Sequence, residues 1–270
     1  MGIANLPVEI LEIKLAWLPM SLTLIDQFDE ILDDQDPRIA SRYFRIIPGC
    51  IGLGSILLVG VVHDHPSSEY RVHRTVRATK PMFLGLELPP LSIPLFELFA
   101  NDQETPPQFG GEMSIAIQGS EATPVGIDSP SLPYLWLVLK HLIKHPPHED
   151  PSRILLRDLV SATGHTLLTG LGAVFGQVTP FRPRLYHPIR YDCSLFDSPD
   201  EQASHERRHI EKRYTLLSAI KEPEAIATID RLRENVMIDR LRAMRLRGDV
   251  IGVIGLEHLE PIYEGLTADD

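Results

Sequence analysis

Residues 55–90 contain two short apolar runs separated by a polar segment of helix length. The runs 56–62 and 82–86 are rich in valine and leucine and are bounded by glycine or proline, so each predicts a strand that is buried on both faces. Ser67 and Ser68 can cap the helix between them, and Pro81 ends it. The stretch has the size of a βαβ unit, and it therefore predicts an α/β fold with a largely parallel central sheet flanked by helices.

The remaining sequence extends this pattern on both sides. Residues 124–127 and 250–254 predict two further short strands. Residues 1–49 carry apolar residues at helical spacing and predict an N-terminal extension, which leaves 50–270 as the α/β domain. Within that domain, residues of about 130–245 predict a mostly helical insertion that contains a proline-rich loop over 180–202.

Composition excludes several functional classes. The 270-residue chain has a net charge of −11 and a pI of about 5.4, which argues against a nucleic-acid partner because phosphate contacts need basic patches. Cys50 and Cys193 form no metal-binding pattern, and a disulfide between them is not expected because nothing indicates secretion. No apolar stretch predicts a transmembrane segment, so we expect a soluble, cytoplasmic protein.

Polar chemistry follows the apolar runs. The four predicted strands lead into ionisable side chains, namely His63, Glu87, Asp128 and His258. Because the carboxyl ends of parallel strands meet at one edge of a sheet, these side chains should converge there. Two histidines with one or two carboxylates are a common ligand set for a divalent metal ion. Gly60 and Gly255 each stand three residues before a histidine, where a glycine allows a ligand to approach the backbone closely.

Each of these signals has a less specific explanation. A histidine after a strand is more often a hydrogen-bonded polar residue than a ligand, and it is the repeated Gly-x-x-His pattern that favours a site. His141 and His145 are spaced for a shared metal on a helix, but they lack the adjacent glutamate of zinc proteases, and a surface cluster with His148 is the better interpretation. A haem or phosphate site is disfavoured, because the chain has neither a Cys-x-x-Cys-His pattern nor a glycine-rich phosphate loop.

The ordered motifs resemble those of one known group of proteins. The matching segments are 57–63, 81–87, 111–113, Arg233 with Met237, and 253–259. In these segments the chain resembles the TraB/PrgY and GumN group, which is similar to the Tiki proteases and more distantly to the erythromycin-esterase and ChaN-like families. The resemblance covers residues of about 55–266, and the part over about 140–220 matches poorly.

The resemblance implies a role for each residue of the predicted site. It implies that His63, His258 and Glu87 bind a divalent metal ion, with manganese or cobalt favoured over zinc. It implies that Arg233 neutralises a developing oxyanion or a substrate carboxylate, that Glu112 is a further catalytic candidate, and that Asp128, Gly60 and Gly255 lie beside the substrate. The chain departs from the family at Ser129, where many relatives have an arginine, and its residues predict none of the C-terminal membrane helices that many relatives carry.

Two functions from different classes follow from this resemblance. The first is a metal-dependent hydrolase that cleaves a peptide or related acyl bond with a metal-activated water, whose proton Glu87 or Glu112 would accept. The second is a non-catalytic protein that sequesters a peptide signal, which is compatible with the association of the TraB group with pheromone shutdown. A site that is retained by descent without activity is the remaining alternative.

Overall fold

The computed structural model describes residues 24–32, 35–101, 107, 109–128, 189–219 and 224–268. Residues 1–23 of the predicted extension and residues 129–188 of the predicted insertion, which include His141, His145 and His148, lie outside these residues. The described residues form a five-stranded, mostly parallel sheet flanked by seven α-helices. The predicted α/β class is therefore confirmed.

The sheet has the strand order β1-β2-β5-β3-β4. Its strands are β1 (Phe44–Ile47), β2 (Ile56–Val61), β3 (Phe83–Leu86), β4 (Thr123–Gly126) and β5 (Val250–Gly255). Strands β2, β5, β3 and β4 are parallel, and the edge strand β1 is antiparallel to β2. The four parallel strands were predicted. Strand β1 was not, because four residues without a clear alternation carry too weak a signal.

Seven helices surround the sheet. They are α1 (Leu24–Leu32), α2 (Pro66–Ala78), α3 (Ile93–Ala100), α4 (Gly111–Gly119), α5 (Pro199–Ala219), α6 (Glu224–Arg245) and α7 (Leu256–Thr267). Short 3-10 turns occupy Ser41–Tyr43 and Pro90–Ser92. The division of the chain at residue 49 stays a prediction, although β1, on the N-terminal side of that boundary, is part of the sheet.

The two central strands explain why helices cover both faces of the sheet. Every residue of β2 and β5 is buried, so neither face of these strands can be left to solvent. Successive side chains alternate between the faces. Leu57 and Val59 pack in the core beneath α1–α4, whereas Ile56 and Leu58 pack in a second core beneath α6 and α7.

The position of β5 determines where the polar strand ends meet. The last strand of the chain lies between β2 and β3, with Val61 opposite Gly255 and Leu86 opposite Val253. The carboxyl ends of β2, β5 and β3 are therefore immediate neighbours. In open α/β sheets this edge is where ligands bind.

A fully buried ion pair attaches α5 to this core. Arg71 Nη2 lies 2.6 Å from Glu206 Oε2, and both side chains are fully buried. The same guanidinium donates to the carbonyl oxygens of Gly60 and Arg38, each over 2.9 Å, and lies 3.6 Å from the Tyr43 ring centre. This network connects α5 with α2 and with β2. Its contact on β2 is the carbonyl oxygen of Gly60, three residues before His63.

Two further expectations can be compared with the described residues. Cys50 and Cys193 are both free thiols, as expected. Among the helices that the structure describes, none combines the length and apolarity needed to cross a membrane.

We predict that Arg71→Ala lowers the free energy of unfolding by about 3–5 kcal/mol, because it leaves the Glu206 carboxylate buried without its partner. Urea denaturation followed by circular dichroism measures this change. Arg45→Ala is the matched control: its ion pair with Glu260, at 2.7 Å, is exposed to solvent and should contribute only about 0–1 kcal/mol. Equal losses in the two variants would contradict the role given to the buried pair.

Candidate active site

Three predicted residues from the ends of adjacent strands meet around Gly255. His63 follows β2, Glu87 follows β3 directly, and His258 lies in the first turn of α7, which begins where β5 ends. A Cβ atom on Gly255 would lie 3.1 Å from Glu87 Oε2, 3.4 Å from His63 Nε2 and 3.7 Å from His258 Cδ2. The glycine therefore leaves open a small space that these three side chains border.

His63 is oriented by Glu112, on α4. Its Nδ1 lies 2.7 Å from Glu112 Oε1, while Glu112 Oε2 accepts a hydrogen bond of 2.9 Å from the Asp64 backbone N–H. Burial disfavours the imidazolium, but the hydrogen bond and charge of Glu112, helped by Glu87, prevail and raise the pKa of His63 to about 10. With Nδ1 engaged, His63 presents Nε2 to the space beside Gly255.

His258 has an equivalent arrangement. Its Nδ1 lies 2.9 Å from Glu234 Oε1, on α6, and its Nε2 lies 3.6 Å from Glu87 Oε1. Burial lowers the pKa of His258, yet Glu234 and Glu87 outweigh burial and the pKa is raised above its ordinary value. The sequence analysis missed Glu234, because no spacing rule connects it with a histidine 24 residues later.

Glu87, at the end of β3, connects the end of β5 with α6. Its Oε2 accepts the backbone N–H of Gly255, and its Oε1 lies 3.0 Å from Arg233 Nη2. Only 6% of the side chain is exposed. A buried carboxylate of this kind needs such compensation, because an unpaired charge away from water is strongly unfavourable.

Arg233 and Asp128 complete this edge of the sheet. Arg233 donates to both carboxylate oxygens of Asp128, over 3.2 and 2.9 Å, and its Nη1 lies 3.6 Å from Asp230 Oδ1. Burial opposes the charge of the guanidinium, but Asp128, Glu87 and Asp230 raise the pKa of Arg233 further. Arg233 is thus a permanent cation whose nearest groups are the carboxylates of the predicted site.

Gly60 differs from the other predicted residues in its position. A Cβ atom there would lie 2.9 Å from the terminal methyl groups of both Leu256 and Leu259, so the residue faces the packing contact between β2 and α7. Its carbonyl oxygen accepts the hydrogen bond from Arg71. The structure therefore does not bring Gly60 to the space beside Gly255, and its expected role next to a substrate stays a prediction.

A second cluster of ligand-type side chains lies close by. His65, Cys193 and His205 have ligand atoms that all lie within 4.8 Å of one another, so they could hold a metal ion. His65 Nε2 is 3.1 Å from His205 Nδ1. This cluster was not predicted, and Cys193 was expected to belong to no metal-binding pattern, because the three members come from separate segments with no shared spacing. The ligand atoms of His63, Glu87 and His258 are not gathered this closely.

Two neighbouring depressions share lining residues, and the smaller one borders His63. The smaller, of about 40 Å³, is bordered by His63, Arg213 and Glu257. The larger, of about 230 Å³, shares Ile210, Tyr214 and Leu256 with it and is lined by three arginines, namely Arg42, Arg45 and Arg207. Together they form a cleft between α5 and the start of α7 that leads toward the candidate site.

No protein-family model, no curated protein and no solved structure matches this chain. Its resemblance to the TraB group, based on the two Gly-x-x-His motifs and the segments between them, therefore stays a prediction. The function is inferred from the side chains that the structure brings together.

We predict that Glu112→Gln lowers the pKa of His63, because the hydrogen bond and charge that raise it most are removed and only Glu87 and Glu257 still oppose burial. NMR titration of the histidine ring signals in chelator-treated protein measures the change. Glu260→Gln, which alters an exposed carboxylate on α7, is the control and should leave the pKa of His63 unchanged.

The same substitution has a consequence for stability. Because folding raises the pKa of His63, the protonated ring stabilises the folded state. This stabilisation is complete below the unfolded pKa of about 6.5 and is lost as the pH rises through about 10. The loss of stability caused by Glu112→Gln should therefore be greater at pH 6 than above pH 10. A difference that does not change with pH would contradict the proposed ion pair.

Proposed function

We propose that this chain is a metal-dependent hydrolase that cleaves a peptide or a related acyl bond. The observation that supports the proposal is the paired arrangement of His63 and His258. Each ring has Nδ1 fixed by a carboxylate, while His63 Nε2 borders the space at Gly255 and His258 Nε2 faces Glu87. A carboxylate on the second nitrogen is typical of metal-binding histidines, because it fixes the ring and strengthens the donor.

The donor set fits a divalent ion in its chemistry. His63 Nε2, His258 Nε2 and the Glu87 carboxylate would hold manganese or cobalt, or zinc, with positions left for water and substrate. The missing side chain of Gly255 leaves room beside all three groups. When bound, such an ion lowers the pKa of a coordinated water and polarises a substrate carbonyl.

Glu87 is better placed than Glu112 to accept the proton of the attacking water. Glu112 contacts His63 at Nδ1, the ring nitrogen that is not the one beside Gly255, and its second oxygen accepts from the Asp64 N–H. Glu87 directs Oε1 toward His258 Nε2, into the candidate site. We therefore assign Glu112 to the orientation of His63 and Glu87 to proton transfer.

Arg233 would stabilise negative charge as it develops. Its side chain is 25% exposed, and its position between Glu87 and Asp128 is set by ion pairs of 3.0 and 2.9 Å. A cation that is fixed before the reaction needs no reorganisation when an oxyanion forms, which is the basis of this kind of catalysis. The cleft between α5 and α7 gives room for an extended substrate such as a peptide, as the resemblance to the TraB group also suggests.

A non-catalytic peptide-binding protein is the second candidate, and one observation favours it. Arg233 forms ion pairs with Glu87 and Asp128 and so balances the negative charge of both carboxylates without a metal ion. A site that only binds a peptide needs no metal ion, and this charge balance is what such a site would have. Long incubation with a peptide distinguishes the two functions. A binding protein retains the intact peptide, whereas a hydrolase releases products.

We predict that the wild-type protein cleaves members of a peptide library when manganese or cobalt is added, and that Glu87→Gln lowers kcat by about 10²–10⁴-fold. Mass spectrometry of the products measures both effects. Glu264→Gln, which changes an exposed carboxylate of α7 that borders neither depression, is the control for a change of charge outside the site. The hydrolase proposal is wrong if no peptide or ester is cleaved with any of the three metals, or if Glu87→Gln is as active as the wild type.

Two glycine variants show whether the space beside Gly255 is used. Gly255 has φ −55°, so alanine is allowed there, and its methyl group should lower activity while the protein stays folded. Gly60→Ala places its methyl against α7 and should lower stability by about 1–3 kcal/mol, with kcat retained in the folded fraction. Full activity of Gly255→Ala would contradict the proposed site.

A further inference from the structure

We infer that His65, Cys193 and His205 form a second metal site, which binds a thiol-seeking divalent ion such as Zn²⁺ and fixes residues 189–198 against the turn that carries His63. This site shares no residue with the proposed hydrolase site. The inference therefore does not depend on the proposed function.

The geometry and the donor types support this site. His65 is fully buried at the start of α2, its Nε2 is 3.1 Å from Nδ1 of His205 on α5, and the Cys193 sulfur lies within 4.8 Å of ligand atoms on both. One thiolate and two imidazoles are a donor set that zinc favours over the harder oxygen-seeking ions. Three protein ligands leave the fourth tetrahedral position to water.

The hydrogen bonds around His65 show what coordination requires. His65 Nδ1 accepts a hydrogen bond of 3.2 Å from the Ser67 N–H, so in the neutral ring the proton is on Nε2 and points at His205. When Nε2 binds the metal ion, this proton moves to Nδ1. The hydrogen bond of 3.2 Å from the Ser67 N–H to Nδ1 is then lost. Cys193 releases its thiol proton to solvent, so one proton leaves for each ion bound.

Ser67 offers an acceptor for the transferred proton. Its hydroxyl oxygen is buried and has no hydrogen-bond partner among the described residues. It belongs to the residue whose backbone N–H already contacts His65 Nδ1. Buried hydroxyl groups are normally hydrogen-bonded, so we expect the Ser67 hydroxyl to accept from Nδ1 when this nitrogen carries the proton in the metal-bound ring.

The ion would hold together segments that also contact the His63 turn. Tyr191, two residues before Cys193, donates its hydroxyl to the His63 carbonyl oxygen over 2.8 Å. The Ile189 N–H donates to Asp64 Oδ2 over 2.9 Å. An ion bound by Cys193, His65 and His205 would therefore fix residues 189–198 between α2 and α5. The hydrogen bonds of Tyr191 and Ile189 would in turn hold the backbone at His63 and Asp64.

Cobalt substitution tests the site through a signal that requires sulfur. We would titrate Co²⁺ into full-length, chelator-stripped protein and record absorption, because thiolate bound to cobalt gives a charge-transfer band in the near ultraviolet. His63, Glu87 and His258 contain no sulfur and cannot give this band. In His63→Ala, which lacks a ligand of the proposed hydrolase site, we expect the band to saturate at one cobalt per chain. In the wild type it should disappear when Zn²⁺ is added, and it should be absent in Cys193→Ser.

Three further variants complete the test. Cys50→Ser, which removes the other and exposed cysteine, should keep the band, as should His63→Ala, whereas His205→Gln should lose it. Ser67→Ala should keep the band but weaken cobalt binding. Circular dichroism of each variant checks folding, and Zn²⁺ should raise the unfolding temperature of His63→Ala but not that of the double variant His63→Ala/Cys193→Ser, in which each proposed site lacks a ligand. The inference is overturned if folded wild-type protein gives no band, or if Cys193→Ser keeps it.

Discussion

The arrangement of the site depends on the contact between the Glu87 carboxylate and the backbone N–H of Gly255. This hydrogen bond joins the end of β3 to the end of β5, and the other oxygen of Glu87 meets Arg233 and faces His258. It is possible only because β5, the last strand of the chain, lies between β2 and β3. One carboxylate thereby connects two neighbouring strand ends with α6, and His63 borders the same space from β2.

The sequence was sufficient to predict the class of fold and the edge at which polar groups meet, because both follow from short-range patterns. Buried runs such as 56–62 identify strands, and parallel strands bring their carboxyl ends together. Pairings between distant residues have no such pattern. Glu234 orients His258, and His65 meets His205, through contacts that only the packing of α5 and α6 creates. The edge strand β1 was missed because its four residues lack a clear periodicity.

In the two Gly-x-x-His motifs the glycines have different roles, whereas the histidines have the same arrangement. Gly255 leaves space at the candidate site, whereas Gly60 allows α7 to pack closely on β2. The histidines are alike in that each has a carboxylate on Nδ1, Glu112 for His63 and Glu234 for His258. The second cluster, around His65, lies two residues beyond His63, so the turn after β2 would connect the two proposed metal sites.

The central claim is that His63, His258 and Glu87 share one divalent ion. Calorimetric titration of Mn²⁺ into chelator-stripped Cys193→Ser tests it most directly, because this background lacks the sulfur ligand of the second cluster. We predict one Mn²⁺ per chain, with affinity at least about tenfold weaker after either His63→Ala or His258→Ala is added, a loss of about 1.4 kcal/mol or more. No binding, or binding that neither change weakens, would contradict the claim.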